Sequence, residues 1–212
     1  EEVDDSICFV DQANLDLAPQ IAPLTKGITR WIYLGEVLPA DAPPLSGLVT
    51  RGEIEAGVDA DFIWPDFDER RAATICFTSG TTGRPKGVVY SHRSITLSSM
   101  GMSMADMYAE LRPGADQVVM PIAPIFHANG WMMPFTAPMY GHKLVLPGRA
   151  FDAPSSVDLM RDEGVTLAGA VPTVWRDVIA ELDRRNETLP ALRAPLIAGT
   201  RLPAATYDAV RR

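Results

Sequence analysis

The amino-acid sequence predicts an α/β fold, in which βαβ units form a parallel or mixed sheet flanked by helices. Short apolar runs alternate along the chain with stretches of helical periodicity, which is the pattern of βαβ units. The 212 residues are 47% hydrophobic and 22% charged, which are ordinary values for a globular protein with its own core. In such sheets ligands bind where strands end, so the loops that follow strands are the segments to search for chemistry.

The predicted strands are short apolar runs bounded by polar or glycine-containing segments. In chain order they cover residues 7–10, 29–34, 74–77, 87–90, 117–120, 143–146, 165–171 and 196–198. The proline-rich segment 36–47 and the acidic segment 59–70 are predicted to be loops.

Helical periodicity predicts helices over residues 12–24, 94–111, 155–163 and 173–185, with further helices after His127 and from Pro203. In the second of these helices an apolar row recurs at steps of three and four, so we expect it to be buried. The row consists of Leu97, Met100, Met104, Met107 and Leu111. Ser155 with Asp158 predicts a capping box, and Gly164 predicts a helix end.

The net charge is −8, from 27 acidic and 19 basic residues. This balance argues against a general nucleic-acid binder and against docking on anionic lipid by charge alone. No apolar run approaches a membrane span and no signal peptide is visible, so we expect a cytoplasmic protein without stable membrane insertion. Cys8 and Cys76 fit no metal-ligand spacing and are expected to be buried free thiols.

A loop of small residues follows the predicted strand 74–77. It reads Thr-Ser-Gly-Thr-Thr-Gly-Arg-Pro-Lys-Gly over residues 78–87. Glycines let backbone N–H groups turn toward an anion, hydroxyls add donors, and Lys86 supplies a charge suited to phosphate. Pro85 blocks an immediate helix, so the chain is predicted to return as a strand, unlike the P-loop of nucleotide triphosphatases. The alternative is a flexible surface hairpin.

These residues resemble a known signature. Residues 78–93 are similar to the signature of the acyl-adenylate-forming superfamily, and residues 124–131 and 164–175 resemble the motifs that follow it there. The resemblance covers nearly the whole chain. The Tyr-Ser-His-Arg-Ser run at 90–94 and the Phe-His-x-Asn-x-Trp pattern at 126–131 look most like medium- and long-chain fatty acyl-CoA synthetases.

The resemblance implies an enzyme that uses ATP, Mg²⁺ and CoA to convert a carboxylic acid, expected to be a fatty acid, first to acyl-AMP and then to its CoA thioester. It implies catalytic roles for His127 and Lys86, with His127 near the substrate carboxylate and the α-phosphate. Trp131 matches the residue that gates the acyl tunnel, and Thr78 matches a magnesium ligand. The nucleotide-binding set it implies is Thr78, Ser79, Gly80, Thr81, Thr82, Gly83, Lys86, Gly199 and Thr200.

Some alternatives stay open from the residues themselves. His127 is also compatible with a buried histidine bonded to a carbonyl, and the apolar residues after Trp131 with plain helix packing. Residues 198–203 depart from the family pattern, because Arg201 stands where a small residue is usual. This departure leaves the acyl chain length open.

The resemblance also bears on what residues 1–212 represent. We expect them to be an incomplete N-terminal domain that binds ATP and the acyl group, with the C-terminal domain outside this chain and with little activity alone. Other functions kept open are an aryl-CoA ligase, a peptide-synthetase adenylation domain, and a non-catalytic nucleotide- or lipid-binding module. The expected partners are the acid, ATP and CoA, without nucleic acid, and a homodimer is the assembly kept open.

Overall fold

The computed structural model describes residues 4–59, 61–78, 85–104, 116–148 and 151–210. The chain forms two compact units, Glu1–Phe67 and Asp68–Arg212. Within the described ranges, no helix is both long and apolar enough to cross a membrane. The α/β prediction is confirmed, since both units contain parallel sheets with helices.

The first unit contains a three-stranded parallel sheet in the order β1-β2-β3. Its elements are β1 (Ile7–Val10), α1 (Ala18–Ile21), β2 (Arg30–Tyr33), β3 (Leu48–Thr50) and α2 (Arg51–Ala56). Its core residues are Val10, Leu15, Ala18, Trp31 and Tyr33. The sequence did not predict β3 or α2, although α2 begins with a capping box in which Thr50 and Glu53 exchange hydrogen bonds of 3.0 and 2.7 Å.

Two predictions in the first unit are wrong. The predicted helix 12–24 is instead α1 with a 3₁₀ turn on each side, Gln12–Asn14 and Ala22–Leu24. The physical reason is the pair Pro19 and Pro23, because each proline removes a donor that a continuous helix needs. The second wrong prediction concerns Cys8, which was expected to be a buried thiol and is only half-buried.

The second unit begins with an antiparallel hairpin of β4 (Ala72–Thr78) and β5 (Lys86–Ser91), followed by α3 (His92–Met104). The chain therefore does return as a strand after Pro85, as the proline predicted. Thr78 and Lys86 are register partners at the loop end of the hairpin, where β4 ends and β5 begins.

The rest of the second unit is built on a four-stranded parallel sheet in the order β7-β6-β8-β9. The strands are β6 (Val118–Pro121), β7 (Lys143–Leu144), β8 (Leu167–Ala170) and β9 (Ala194–Ile197). The helices are α5 (Met133–Met139), α6 (Ala153–Asp162), α7 (Pro172–Arg185) and α8 (Ala204–Val210). The short segment α4 (Ala128–Trp131) precedes α5 and has non-helical backbone at Asn129 and Gly130. Each of these strands, and each of α6, α7 and α8, corresponds to a predicted element with ends that differ by a few residues. One helix was predicted after His127, where α4 and α5 stand.

Successive residues of the sheet's strands belong to two different cores, as the two-residue period of a strand requires. Met120 and Ala168 pack with α6 and α7 in one cluster, together with Val157, Trp175 and Val178. Val119 and Leu167 pack on the opposite face with Met133 and Ala137 of α5. We call these the α6–α7 face and the α5 face.

The prediction of a buried methionine row on α3 is wrong. Leu97, Met100 and Met104 are 52%, 45% and 85% exposed, while Met107 and Leu111 lie outside the described residues. The buried positions of α3 are Ile95, Ser99 and Ser103. The helix packs against α5, and the Ser103 hydroxyl donates to the hydroxyl of Tyr140, just after α5, at 2.8 Å. Met102, which lies outside the predicted row, is the methionine of α3 that packs against the core cluster of Met133 and Ala137. A three-and-four spacing identifies an apolar side of a helix but does not decide which side faces the core.

Two predictions concern the ends of α6. The cap is Asp152, whose carboxylate accepts a 2.8 Å hydrogen bond from the Ser155 backbone N–H, so the predicted capping box of Ser155 with Asp158 is wrong. The helix begins two residues earlier than predicted because Asp152 and Pro154 together form a favourable start. The predicted end at Gly164 is confirmed, since Gly164 has φ = +63° just after the last turn.

Candidate functional site

Three parallel strands direct their loops to one edge of the four-stranded sheet. His127 follows β6, Val171 follows β8, and Gly199 with Thr200 follows β9. Gly199 has φ = +97°, and a Cβ there would lie 3.1 Å from Cγ1 of Val171. The loops after β8 and β9 are therefore closely packed at a position where a larger residue would be strained.

The hairpin contributes the two ends of the predicted phosphate loop. The Thr78 hydroxyl donates to the backbone carbonyl of Lys86 at 3.5 Å, and both residues are exposed. Ser79, Gly80, Thr81, Thr82 and Gly83 lie outside the described residues. What the structure supplies is the frame of the loop, which is a pair of antiparallel strand ends held in register.

His127 lies at the start of a tight turn and is exposed. Its backbone N–H donates to Pro124 O and its carbonyl accepts from Gly130 N–H, both at 3.0 Å. Exposure argues against the alternative of a buried histidine bonded to a carbonyl. An exposed imidazole at the carboxyl edge of the sheet is available to a ligand.

The helix predicted after His127 begins with a left-handed turn that the sequence analysis missed. Asn129, Gly130, Trp131 and Met132 have φ values of 49°, 61°, 56° and 64°, and α5 starts only at Met133. Glycine enters this region freely and asparagine does so more readily than other residues, so the Asn-Gly pair was the available signal. We call residues 129–132 the left-handed turn.

The side chain of Asn129 connects the left-handed turn to the hairpin. Its carbonyl oxygen accepts from Sγ of Cys76 at 2.8 Å, and its amide donates to the Thr74 hydroxyl at 2.8 Å. Asn129 is 7% exposed and Cys76 is 4% exposed, which confirms the predicted burial of this thiol. Neither Asn129 nor Thr74 was predicted from the sequence as a site residue, because contacts between distant residues depend on tertiary structure.

Trp131 packs on the α5 face of the sheet beside a glycine. A Cβ on Gly169 of β8 would lie 3.3 Å from Cε3 of the Trp131 ring and 2.2 Å from Cε of Met133. Gly169 therefore makes room for both side chains. Met133 is fully buried in the core of this face, so it packs as plain helix packing predicts.

The described residues offer little to a metal ion by themselves. Over the described ranges, no group of three or more His, Cys, Asp or Glu side chains is arranged to hold a metal. Mg²⁺ keeps several waters and takes other oxygens from nucleotide phosphates, so it needs only one or two protein oxygens. The exposed Thr78 hydroxyl fits as one such ligand.

Arg201, the residue that departs from the family pattern, is exposed in the loop after β9.

The sequence of this chain is similar to those of known enzymes. The sequence profile of the family described as AMP-binding enzyme matches residues 14–212. The 3-methylmercaptopropionyl-CoA ligase of Ruegeria pomeroyi is 40% identical over 94% of this chain and 36% of its own length. The medium-chain-fatty-acid–CoA ligase of Ectopseudomonas oleovorans is 35% identical over 95% of this chain and 36% of its own length. The chain thus spans about 36% of these curated relatives.

Solved structures share the fold. The anthranilate CoA ligase AuaEII, in complex with anthranoyl-AMP, has a TM-score of 0.78 and 20% identity, and the similarity covers 99% of this chain and 39% of that one. A putative long-chain-fatty-acid CoA ligase from Rhodopseudomonas palustris has a TM-score of 0.75 and 16% identity over 99% of this chain and 48% of that one. At this identity the likeness concerns the fold alone.

Proposed function

This chain belongs to the AMP-binding enzyme family, and we propose that the full-length protein is an acyl-CoA synthetase. In the first step a carboxylate oxygen attacks the α-phosphorus of ATP, the bond to the bridging oxygen breaks, and pyrophosphate leaves. In the second step the CoA sulfur attacks the acyl carbon, AMP leaves, and the thiol proton passes to solvent. The proposed acid is a fatty acid, as in the medium-chain relative.

The observation that carries the proposal is the hairpin that frames residues 78–87. Thr78 and Lys86 stand opposite each other where β4 ends and β5 begins, and both are exposed. Negative charge builds on pyrophosphate as it leaves, and fixed donors with a cation stabilise it. In this proposal Ser79, Gly80, Thr81, Thr82 and Gly83 hold the phosphates, and the Lys86 ammonium acts on the leaving group.

The loops at the carboxyl edge of the sheet supply the other proposed contacts. His127 hydrogen-bonds the substrate carboxylate and the α-phosphate oxygen, and its exposure supports this role. Gly199 and Thr200 border the adenine. Trp131 belongs to the left-handed turn, and its ring packs against Gly169 of β8. In this proposal the ring forms one wall of the acyl site.

Magnesium, the cellular location and the assembly are further parts of the proposal. Mg²⁺ would supply positive charge at the phosphates, with Thr78 holding it by one oxygen. We propose a cytoplasmic homodimer, which light scattering on the purified protein tests. We also propose that residues 1–212 form one incomplete N-terminal domain and are inactive alone. Acyl-CoA formation by that segment would contradict this.

ATP–pyrophosphate exchange by the full-length protein tests the proposed function. The acids to compare are short, medium and long fatty acids, 3-methylmercaptopropionate, benzoate and amino acids. We expect exchange to peak with fatty acids, and Lys86→Ala to lower it on the order of 100-fold, as the loss of a charge-stabilising donor does. Lys26→Ala, at an exposed lysine of the first unit, is the matched control.

The acid profile separates the alternatives. Exchange only with 3-methylmercaptopropionate would place the substrate with the Ruegeria relative. Exchange only with benzoate or amino acids would indicate an aryl-CoA ligase or a peptide-synthetase adenylation domain. Nucleotide binding without exchange for any acid would favour a non-catalytic module and would refute the enzyme.

A further inference from the structure

We propose that Asn129 is a positioning residue that clamps the hairpin carrying the phosphate loop to the turn carrying His127 and Trp131. The inference rests on the proposed function for its catalytic consequence. It rests on contacts within the second unit for its structural part. The clamp consists of Asn129, Thr74 and Cys76.

The three residues occupy matching places on the two segments. Thr74, Cys76 and Thr78 are alternate residues of β4, so they lie on the same side of the strand. Thr78 is where the predicted phosphate loop opens. Asn129 lies two residues after His127 and two before Trp131. Hydrogen bonds between Asn129 and β4 therefore connect two segments of the proposed site. One is the start of the phosphate loop at Thr78, and the other contains His127 and Trp131.

The polar atoms of the Asn129 side chain are engaged by β4. The carbonyl oxygen accepts from Cys76 Sγ and the amide donates to the Thr74 hydroxyl, each at 2.8 Å. With Asn129 at 7% exposure, water cannot readily replace either bond. Buried polar groups that lose a partner carry the full cost of desolvation, so this pair of contacts holds the side chain in one orientation.

The backbone explains why the clamp contains asparagine. Position 129 has φ = 49°, which glycine and asparagine adopt more readily than other residues. Trp131 and Met132 are also left-handed and are neither, so the turn does not persist through local preference alone. Asparagine combines tolerance of this backbone with an acceptor and a donor. Glycine satisfies the backbone but has neither bond.

The clamp matters for chemistry because adenylation joins two ligands held by different segments. A carboxylate oxygen must come within about 3–3.5 Å of the α-phosphorus, and a displacement of about 1 Å can lower the rate 100-fold. Loosening the hairpin relative to the turn leaves each substrate its own contacts. The expected result is a lower kcat with little change in either KM.

The test uses the full-length protein and the variant Asn129→Gly, which keeps the backbone conformation and removes both bonds. We expect kcat for ATP–pyrophosphate exchange to fall about 10- to 100-fold, with KM for ATP and acid within about threefold. Asn186→Gly is the matched control, because Asn186 is also left-handed (φ = 53°) but is exposed at the end of α7. We expect its kcat to equal that of the wild type.

Thr74→Val and a double variant test the link itself. Thr74→Val alone should lower kcat by less than Asn129→Gly, and in the Asn129→Gly background it should add nothing, because the bond is already lost. Fully additive losses would refute the clamp. A kcat for Asn129→Gly equal to that of Asn186→Gly, or a KM rise with unchanged kcat, would also refute it.

A second readout does not need activity. Hydrogen–deuterium exchange of residues 74–78 should be faster in Asn129→Gly than in the wild type and unchanged in Asn186→Gly. Absence of ATP–pyrophosphate exchange in the wild type would refute the proposed function. The hydrogen–deuterium exchange of the three proteins would then decide whether the clamp exists. Equal protection of β4 in all three proteins would refute the clamp even if the enzyme is active.

Discussion

The two faces of the four-stranded sheet are built differently. Among the described residues, the α6–α7 face has a core cluster of ten buried residues and the α5 face has one of four. On the first face, α6 starts at a side-chain cap and α7 at Pro172, and a single left-handed residue, Gly164 or Asn186, follows each helix. On the second face, α5 is entered through the left-handed turn.

The two faces therefore have different roles in the fold. The α6–α7 face is packed for stability, with alternate strand residues buried beneath two regular helices. On the α5 face the backbone is irregular at the left-handed turn, which lies beside His127 and contains Trp131 at the carboxyl edge of the sheet. Strained backbone of this kind persists only where surrounding contacts hold it. Changes on the first face should therefore affect unfolding, and changes on the second should affect activity.

Trp175→Ala on the α6–α7 face should lower the free energy of unfolding more than any other substitution considered for the two faces. Trp175 is 2% exposed and its Nε1 donates to the carbonyl of Leu196 at 2.9 Å, which ties α7 to β9. Removing a buried tryptophan lowers the free energy of unfolding by about 3–5 kcal/mol. Urea denaturation of the full-length protein measures this.

Trp64→Ala is the control for that measurement, because Trp64 is 84% exposed. An exposed substitution of this kind changes stability by about 0.5 kcal/mol or less. Equal losses for Trp175→Ala and Trp64→Ala would show that the α6–α7 face does not carry the stability assigned to it. The folded fraction of Trp175→Ala should keep the acid preference of the wild type.

A smaller stability effect with a larger functional one is expected for Gly169→Ala on the α5 face. The new Cβ would meet Cε of Met133 at 2.2 Å, and Met133 is fully buried, so the core must shift. Overpacking of this kind costs about 1–3 kcal/mol. Because Trp131 lies against the same glycine, we expect the ranking of acids in the exchange assay to change.

Gly101→Ala is the matched control in α3. Gly101 is exposed, and a Cβ there has nothing within 4 Å. Alanine in place of glycine inside a helix stabilises by about 0.5–1 kcal/mol, so this variant should be slightly more stable with unchanged acid ranking. If Gly169→Ala also left the ranking unchanged, the Trp131 ring would not define the acyl site.

The smallest effect concerns acid stability at the rim of the α6–α7 face. Hydrogen bonds from Arg184 and Arg185 lower the pKa of Glu181 to about 2. Arg185 also bonds Asp158 at 2.6 Å, which joins α7 to α6, and lowers the pKa of that carboxyl. The folded-state pKa of Glu181 lies below its unfolded value. The stabilisation is therefore complete above about pH 4.3, the ordinary value, and is lost as pH falls toward about 2.

Glu181→Gln tests this pH dependence. We expect it to lower the melting temperature at neutral pH, and the difference from the wild type to shrink as the solution is acidified. Asp183→Asn, at an exposed carboxylate on the same helix, is the comparison variant. A difference that stays constant down to about pH 2 would mean that the Glu181 ion pairs do not contribute to stability.

Sequence patterns predicted the hairpin and every described strand except β3, because these elements depend on local features. Apolar runs mark buried strands, and Pro85 turns the chain back toward β5. The row of Met100 and Met104 was assigned to the wrong environment because periodicity identifies an apolar side of a helix without saying what packs there. The buried positions of α3 are instead Ile95, Ser99 and Ser103.

The candidate site was only partly predictable for the same reason. The types and order of residues around Lys86 indicate phosphate binding, and the resemblance to the adenylate-forming superfamily implies a role for His127 near a carboxylate. Their roles stay predictions. The bonds from Asn129 to Cys76 and Thr74 join residues more than fifty positions apart. Asn-Gly signals a left-handed backbone, but no local pattern specifies which strand receives the side chain.

The burial of Cys76 has a practical consequence. This chain contains two cysteines, of which Cys8 is half-buried and Cys76 is 4% exposed. A thiol reagent therefore reaches Cys8 in the folded protein, whereas Cys76 becomes alkylated only when β4 separates from Asn129. The rate of alkylation at Cys76, followed by mass spectrometry, therefore measures how often β4 separates from the left-handed turn, without an introduced probe residue.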